Sequence, residues 1–191
     1  MDSKITIRSA AVSDAASLLE IYSYYVKNTA ISFEWEIPTV EEFSLRIENT
    51  LKFYPYLVAE IDGKPVGYAY ASRFRTRAAY AWGVETSIYV HKDFRGQGIG
   101  RALLEKLENL LKAQGVLNIY AGVTYIKKED EYLTHASPKF HKKMGYKKVA
   151  EYHQCGFKFN RWYGVMFMEK IIGEHTENPK EVKKWSGYSE L

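Results

Sequence analysis

Three glycines fall within five residues of this chain, in the run Arg95-Gly96-Gln97-Gly98-Ile99-Gly100. The residues before them, about 82–91, read as an extended strand run. The residues after them carry Leu103, Leu104, Leu107, Leu110 and Leu111 on one helical stripe, with Gly115 as a stop signal. The glycines therefore join a strand directly to a helix. Glycine lets a backbone turn sharply and come close to a ligand. The unpaired N–H groups at a helix start, with the helix dipole behind them, attract anions. Arg95 and Arg101 add positive charge, so a phosphate or pyrophosphate is the natural occupant.

Two familiar phosphate loops do not fit. A P-loop ends in Gly-Lys-Ser/Thr, whereas this run ends Ile99-Gly100-Arg101. A dinucleotide fingerprint counted from Gly96 and Gly98 needs a glycine where Arg101 stands, and it belongs near the start of a βαβ unit. Taken alone, the turn is also compatible with a connection that binds nothing.

The rest of the chain supplies the fold class. Ile5 and Ile7 alternate with polar neighbours as a first strand. Residues 13–27 hold Ala15, Leu18, Leu19, Tyr22 and Val26 at helical spacing. Thr39-Val40-Glu41-Glu42 is a capping box, and the helix it opens buries Phe43, Ile47 and Leu51. Asp62-Gly63 joins strands 56–61 and 65–72 as a hairpin. Residues 117–123 read as a strand and 127–131 as a charged loop. Ser137-Pro138 reads as an N-cap with proline at the first helical position, opening a short helix that Gly145 ends. Strands at 146–153 and 157–169 follow, the latter with Phe157, Phe159, Tyr163, Val165 and Phe167 on one face. Hairpins mixed with helical crossovers predict an α/β domain with a mixed, mostly antiparallel central sheet flanked by helices. We expect one domain over 1–172 and a loose polar tail over 173–191.

Composition narrows the function. The net charge of +4 is spread along the chain, too dilute for a nucleic-acid-binding face. The lone Cys155 excludes an internal disulfide and a multi-cysteine metal site, and reads as an inert small residue at a turn or strand end. The histidines show no metal-ligand spacing, so no metal is expected. Met1-Asp2-Ser3-Lys4 leads into structured sequence with no signal-peptide core, and no apolar run approaches membrane-spanning length. A cytoplasmic protein without membrane partners is expected.

Arg95, Gly98 and Gly100, placed after Ser87-Ile88-Tyr89-Val90, resemble the Arg-x-x-Gly-x-Gly acyl-coenzyme A signature of the GNAT superfamily of N-acetyltransferases. The element order is similar to that family's. Phe33, Phe53-Tyr54-Pro55-Tyr56-Leu57-Val58-Ala59-Glu60, the string Arg75-x-Arg77-x-x-Tyr80-x-Trp82-x-x-Glu85, and Phe159-x-Arg161-Trp162 resemble its phosphinothricin N-acetyltransferase subgroup. The resemblance covers about residues 4–170. It implies a GNAT fold whose splayed central strands form the cleft for acetyl-CoA. The pyrophosphate would rest on Arg95, Gly96, Gln97, Gly98, Ile99, Gly100 and Arg101, and the pantetheine arm would pair along Ser87, Ile88, Tyr89 and Val90. The amine of a small amino acid analogue, such as phosphinothricin or methionine sulfoximine, would attack the thioester directly.

Glu85 is the first catalytic candidate. A carboxylate among Trp82, Val84 and Ile88 is costly unless it has a task or a partner, and burial raises its pKa toward that of a general base. An ion pair with Arg75 or Arg77, or simple solvation, would also explain it. The resemblance favours the base. His141 is the second candidate: it lies four residues before Gly145-Tyr146, where many family members place a proton donor to the departing thiolate and the subgroup carries histidine. A helix-filling histidine is the plain alternative. Arg75 and Arg77 alternate with Thr76 and suit a bidentate clamp on an anionic substrate group, although a solvated loop-side pair reads the same way. Tyr80 and Tyr89 would offer hydroxyls and Phe33 an apolar wall, though core aromatics read the same way.

The resemblance further implies a homodimer, with residues 159–163 as one contact or else packed within the chain. The subgroup's asparagine at the opening of the helix after the fifth strand has only Thr134 as its counterpart, after an apparent insertion at 126–131. The tail has no counterpart. Acetylation of a polyamine, an antibiotic or a protein N-terminus is the enzymatic alternative, and a silent acyl-CoA-binding module the non-enzymatic one.

Overall fold

The computed structural model describes residues 5–187; Met1–Lys4 and the end of the tail, 188–191, lie outside it. Seven strands form one sheet: β1 (Ile5–Ser9), β2 (Tyr56–Ile61), β3 (Lys64–Arg73), β4 (Gly83–Val90), β5 (Asn118–Tyr125), β6 (Lys147–Lys158) and β7 (Arg161–Ile171). Their order is β1-β2-β3-β4-β5-β7-β6. Every neighbouring pair is antiparallel except β4 and β5.

Helices cover both faces. On one, α1 (Ala15–Asn28) and α2 (Val40–Leu51) bury Leu18, Tyr22, Val26, Phe43 and Ile47 against Tyr56, Val58 and Tyr68. On the other, α3 (Ile99–Gln114) buries its leucine stripe against Leu57, Ala69, Val84 and Ile119, and α4 (Ala136–Lys143) abuts the same core through Phe140. Each buried leucine contributes roughly 1.5–3 kcal/mol of transfer free energy.

Local signals produce the expected joints. Thr39 Oγ1 accepts from the Glu42 N–H at 3.2 Å, and the Glu42 carboxylate accepts from the Thr39 N–H at 2.8 Å, closing the capping box. Asp62 and Gly63 both take positive φ, 51° and 74°, as a two-residue hairpin demands. Gly115 ends α3 with φ 97°.

Three expectations are corrected. The last hairpin turns at Phe159-Asn160, with φ 50° and 60°, so Phe157 belongs to β6 and Phe159 to the turn rather than to one face of the last strand. β6 keeps its pairing past 153 by a bulge between Tyr152 and Gly156, with Gln154 at φ 47°. Phe159 is unfavourable in the left-handed region. Its ring stacks on Tyr132 at 4.0 Å, a tertiary contact that holds the turn. Cys155 is exposed within this bulged strand.

The second correction concerns α4, which starts one residue before Ser137, with His135 at the cap, so Pro138 sits in the first turn. Proline is tolerated there because the first N–H groups have no helical partner.

The third concerns the tail, which docks rather than hanging loose. The Lys183 N–H donates to the Gln114 carbonyl at 2.8 Å and the Trp185 N–H to the Phe53 carbonyl at 3.2 Å. Val182 and Trp185 pack on the core beside α3.

Candidate active site

β4 and β5 pair over three residues only, Gly83–Glu85 with Asn118–Tyr120. Beyond Glu85, β4 stays with β3 as far as Val90, while β5 follows β7 as far as Tyr125. Each strand is held by its outer neighbour, so the inner edges part and leave a V. The His91 N–H bonds the Val66 carbonyl across β3. Strand alternation then turns the backbone groups of Ile88 and Val90 into the V. The Tyr25 hydroxyl, from α1, donates to the Val90 carbonyl (2.5 Å) and accepts from its N–H (3.3 Å).

Glu85 stands at the vertex. It is half-buried, and its carboxylate lies against the backbone of Gly122. Burial pushes the carboxyl above its ordinary value; the nearby Arg75 charge and the Gly122 N–H pull partly back. A Cβ on residue 122 would lie 2.8 Å from Glu85 Oε1, so only glycine permits this approach. Above the vertex is a cavity of about 60 Å³ lined by Ile31, Thr86, Ser87, Gly122, Leu133 and His141.

His141 is buried, with Nδ1 2.9 Å from the Ser137 carbonyl. A carbonyl only accepts, so Nδ1 carries the hydrogen and Nε2 of the neutral ring is a free acceptor. Burial lowers the pKa of His141, with the Ser137 carbonyl opposing it. The neutral form is therefore favoured at pH 7, and the ring begins as a proton acceptor rather than a donor.

The mouth of the V is a cleft of about 490 Å³, bordered by Ile88, Val90, the glycine turn, Thr134 and Phe140. Gly96 and Gly98 take φ 77° and 83°, and Gly98 caps α3. A Cβ on either would meet nothing within 4 Å. Backbone conformation, not space, demands these glycines. Gln97 Nε2 donates to the Asp93 carbonyl at 3.3 Å, closing the turn. The Arg95 guanidinium lies over Tyr25 (4.9 Å) and Tyr24 (5.4 Å), and Arg101 pairs with Glu105 at 3.7 Å. The 16-residue α3 begins at this cleft, and helix-start N–H groups with the dipole behind them attract anions.

Arg75 and Arg77 are exposed in the loop after β3, just before a short turn at Ala78–Tyr80. Arg75 lies 4.2 Å over Phe74, which stacks on Tyr120 at 4.0 Å, next to the vertex. Tyr80 is half exposed and meets Phe74 edge-on. The Tyr89 ring packs among Tyr22, Tyr25 and Tyr68, within the core under α1. Phe33 packs with Ala30, Leu133 and Tyr163. Thr134 borders the cleft, and its hydroxyl accepts from the Ala136 N–H at 3.4 Å.

Sequence reading missed Tyr25, Gly122, Leu133, Ser137 and Phe140. A glycine inside a strand is a signal of close approach, so Gly122 was detectable. Tyr25 reaches Val90 across 65 residues and had no local signal. Among the described residues, no group of three or more His, Cys, Asp or Glu is placed to hold a metal, and no helix is long and apolar enough to cross a membrane.

Comparison with known proteins agrees with this geometry. The family described as "Acetyltransferase (GNAT) domain" matches residues 7–167. The chain is 35% identical to the L-amino acid N-acyltransferase MnaT of Escherichia coli over 91% of this chain and 97% of that protein. It is 33% identical to the L-methionine sulfoximine/L-methionine sulfone acetyltransferase of Salmonella typhimurium, over 90% and 97%. A phosphinothricin acetyltransferase from Sinorhizobium meliloti, solved in complex with acetyl-CoA, superimposes with a TM-score of 0.85 at 35% identity, over 96% of this chain and 97% of that one. With matches of this identity over nearly its whole length, the chain belongs to the GNAT family of acetyltransferases.

Proposed function

We propose that this protein transfers an acetyl group from acetyl-CoA to the amine of a small amino acid analogue of the phosphinothricin or methionine sulfoximine type. The observation that carries the proposal is the Glu85 carboxylate at the vertex of the V, pushed up by burial and set against Gly122, which lines one small cavity together with neutral His141.

The residues fit acetyl-CoA. The glycine turn and first amides of α3 suit its pyrophosphate, Ile88 borders the cleft on the strand edge that suits the pantetheine amides, and Thr134 offers a hydroxyl at the cleft wall. When bound, acetyl-CoA supplies an activated thioester carbonyl and a thiolate leaving group. Glu85 takes the proton that an ammonium substrate must lose, freeing the nitrogen lone pair. That pair makes the C–N bond as the C–S bond breaks. His141 accepts the second N–H proton at Nε2 and returns it to the departing sulfur, so the protons balance. Arg75 and Arg77 hold the acidic group of the substrate, with Tyr80 and Phe33 as neighbouring walls. The Tyr89 ring supports this site from the core.

We further read the protein as a cytoplasmic homodimer without nucleic-acid or membrane partners. Phe159 and Tyr163 are used inside the chain, but Trp162 (55% exposed) forms a surface aromatic group with Phe157 (37%) and Trp35 (71%). That group suits a subunit contact. A molar-mass measurement by light scattering on wild type and Trp162→Ala tests it; a monomeric wild type overturns it.

The activity is tested by thiol release from acetyl-CoA with phosphinothricin, methionine sulfoximine, common amino acids, spermidine and an aminoglycoside. Turnover of the first two, lost in Glu85→Ala, is expected. Turnover confined to the polycations would overturn the substrate class. Acetyl-CoA binding without turnover of any amine would overturn the enzymatic reading for these substrates.

A further inference from the structure

The segment after β7 runs back across the sheet to the loop that carries Arg75 and Arg77. Three sets of contacts hold it. His175 Nε2 lies 2.7 Å from Asn118 Oδ1, at the base of β5. Trp82 Nε1 donates to the Lys180 carbonyl at 2.8 Å. Gln114 Nε2 donates to the Lys183 carbonyl at 2.9 Å and to the Phe53 carbonyl at 3.0 Å, tying the segment to the end of α3. Between the first two anchors, His175, Thr176 and Pro179 close one side of a cavity of about 210 Å³. Its other side is Phe74, Tyr80 and Trp82.

This segment lies beyond the family-matched residues 7–167. It is bonded to one end of the acceptor loop at Trp82 and faces the other, Phe74, across the cavity, and between them stand Arg75, Arg77 and Tyr80. Phe74 in turn stacks on Tyr120, the register partner of Glu85. An exposed loop with few backbone bonds of its own is mobile unless packed against something. The tail supplies the bond to Trp82 and the facing wall of the cavity.

We propose that residues 175–185 are a strap that fixes the 74–82 loop, and that Trp82 is a positioning residue through which the strap sets acceptor affinity. The proposal rests on the reading of Arg75 and Arg77 as acceptor contacts. The strap leaves the glycine turn and the mouth of the V untouched, so acetyl-CoA affinity is independent of it. Misplacement of a substrate-orienting group lowers effective binding without removing the base.

The test uses Trp82→Phe/His175→Ala in the full chain, which removes both donors and keeps the aromatic ring. A second variant ends at residue 173. Tryptic cleavage at Lys180, Lys183 and Lys184 reports strap release, and amide exchange of residues 74–82 reports loop order. Expected results are faster cleavage, faster exchange in 74–82, a rise of about tenfold or more in the KM for the amine, and an unchanged KM for acetyl-CoA. Continued protection from trypsin in the double variant would overturn the role of Trp82. A released strap with unchanged loop exchange would overturn the strap. A loosened loop with unchanged amine KM would overturn its link to affinity. In that case Arg75→Ala distinguishes the sources: if it too leaves the amine KM unchanged, the acceptor reading of Arg75 has failed, and if it raises that KM, only the strap has failed. Truncation that lowers thermal stability and raises both KM values together would make the tail a general structural element and overturn the proposal.

Discussion

The vertex and the mouth of the V both depend on glycine, for opposite physical reasons. At the vertex, Gly122 is required for space: a Cβ there would press on Glu85 Oε1 at 2.8 Å. At the mouth, Gly96 and Gly98 have open space above them and are required for their positive φ. The vertex brings a carboxylate against the backbone of Gly122. The mouth turns backbone N–H groups outward toward a ligand. On the proposed function the two regions divide the work, with proton transfer at the vertex and anchoring at the mouth. Damage to each is expected in a different kinetic constant.

The largest expected effect is at the base. Glu85→Gln keeps the shape and removes the proton acceptor, so kcat is expected to fall by roughly 10²–10⁴-fold, with the KM for acetyl-CoA unchanged. Steady-state kinetics at saturating amine measure it, and a kcat within threefold of wild type would remove Glu85 from the mechanism. Gly122→Ala comes next. The new methyl must displace the carboxylate, and a shift of about 1 Å in a reacting group can cost about 10²-fold. The comparison breaks if this variant raises the KM for acetyl-CoA and spares kcat.

Gly98→Ala tests the mouth. Holding a residue with a Cβ in the left-handed region costs roughly 1–2 kcal/mol, a factor of about 5–30. Calorimetric titration should show that weakening in acetyl-CoA affinity, with kcat at saturation nearly intact. A large fall in kcat would mean that mouth and vertex are not separable.

The smallest effect sharpens the vertex. A base works when deprotonated, and burial raises the Glu85 pKa, so the acid limb of kcat/KM is expected above the ordinary carboxylate range of about 4.3. Arg75 opposes that rise, so Arg75→Ala should move the limb further up in pH. A limb that moves down, or stays in place, contradicts the electrostatic link.

The capping box at Thr39, the hairpin at Asp62-Gly63 and the glycine turn were all legible because their partners lie within a few residues. The turn at Phe159-Asn160 was not: nothing in Phe159 asks for positive φ, and it adopts it against Tyr132, which follows the apparent insertion. The opening of α4 was displaced: the helix starts at Ala136 with His135 at the cap, and the Ser137 hydroxyl lies 3.4 Å from the His141 ring instead of capping the helix. Glu85 and His141 were singled out by residue type and family pattern. The tautomer of His141, which makes it an acceptor first, needed the 2.9 Å contact to the Ser137 carbonyl.

By itself, the sequence determined the pieces: helices with one apolar face, strands with period two, and turns where only glycine or a capping hydroxyl serves. These are choices among local backbone states, decided by short-range sterics and hydrogen bonds. Tertiary structure decided where β4 leaves β5, what Glu85 touches there, how Tyr25 covers Val90 across 65 residues, and how the tail reaches Trp82 across 98. Such contacts must outweigh the entropy of closing long loops, and only the packing of the whole core makes them do so.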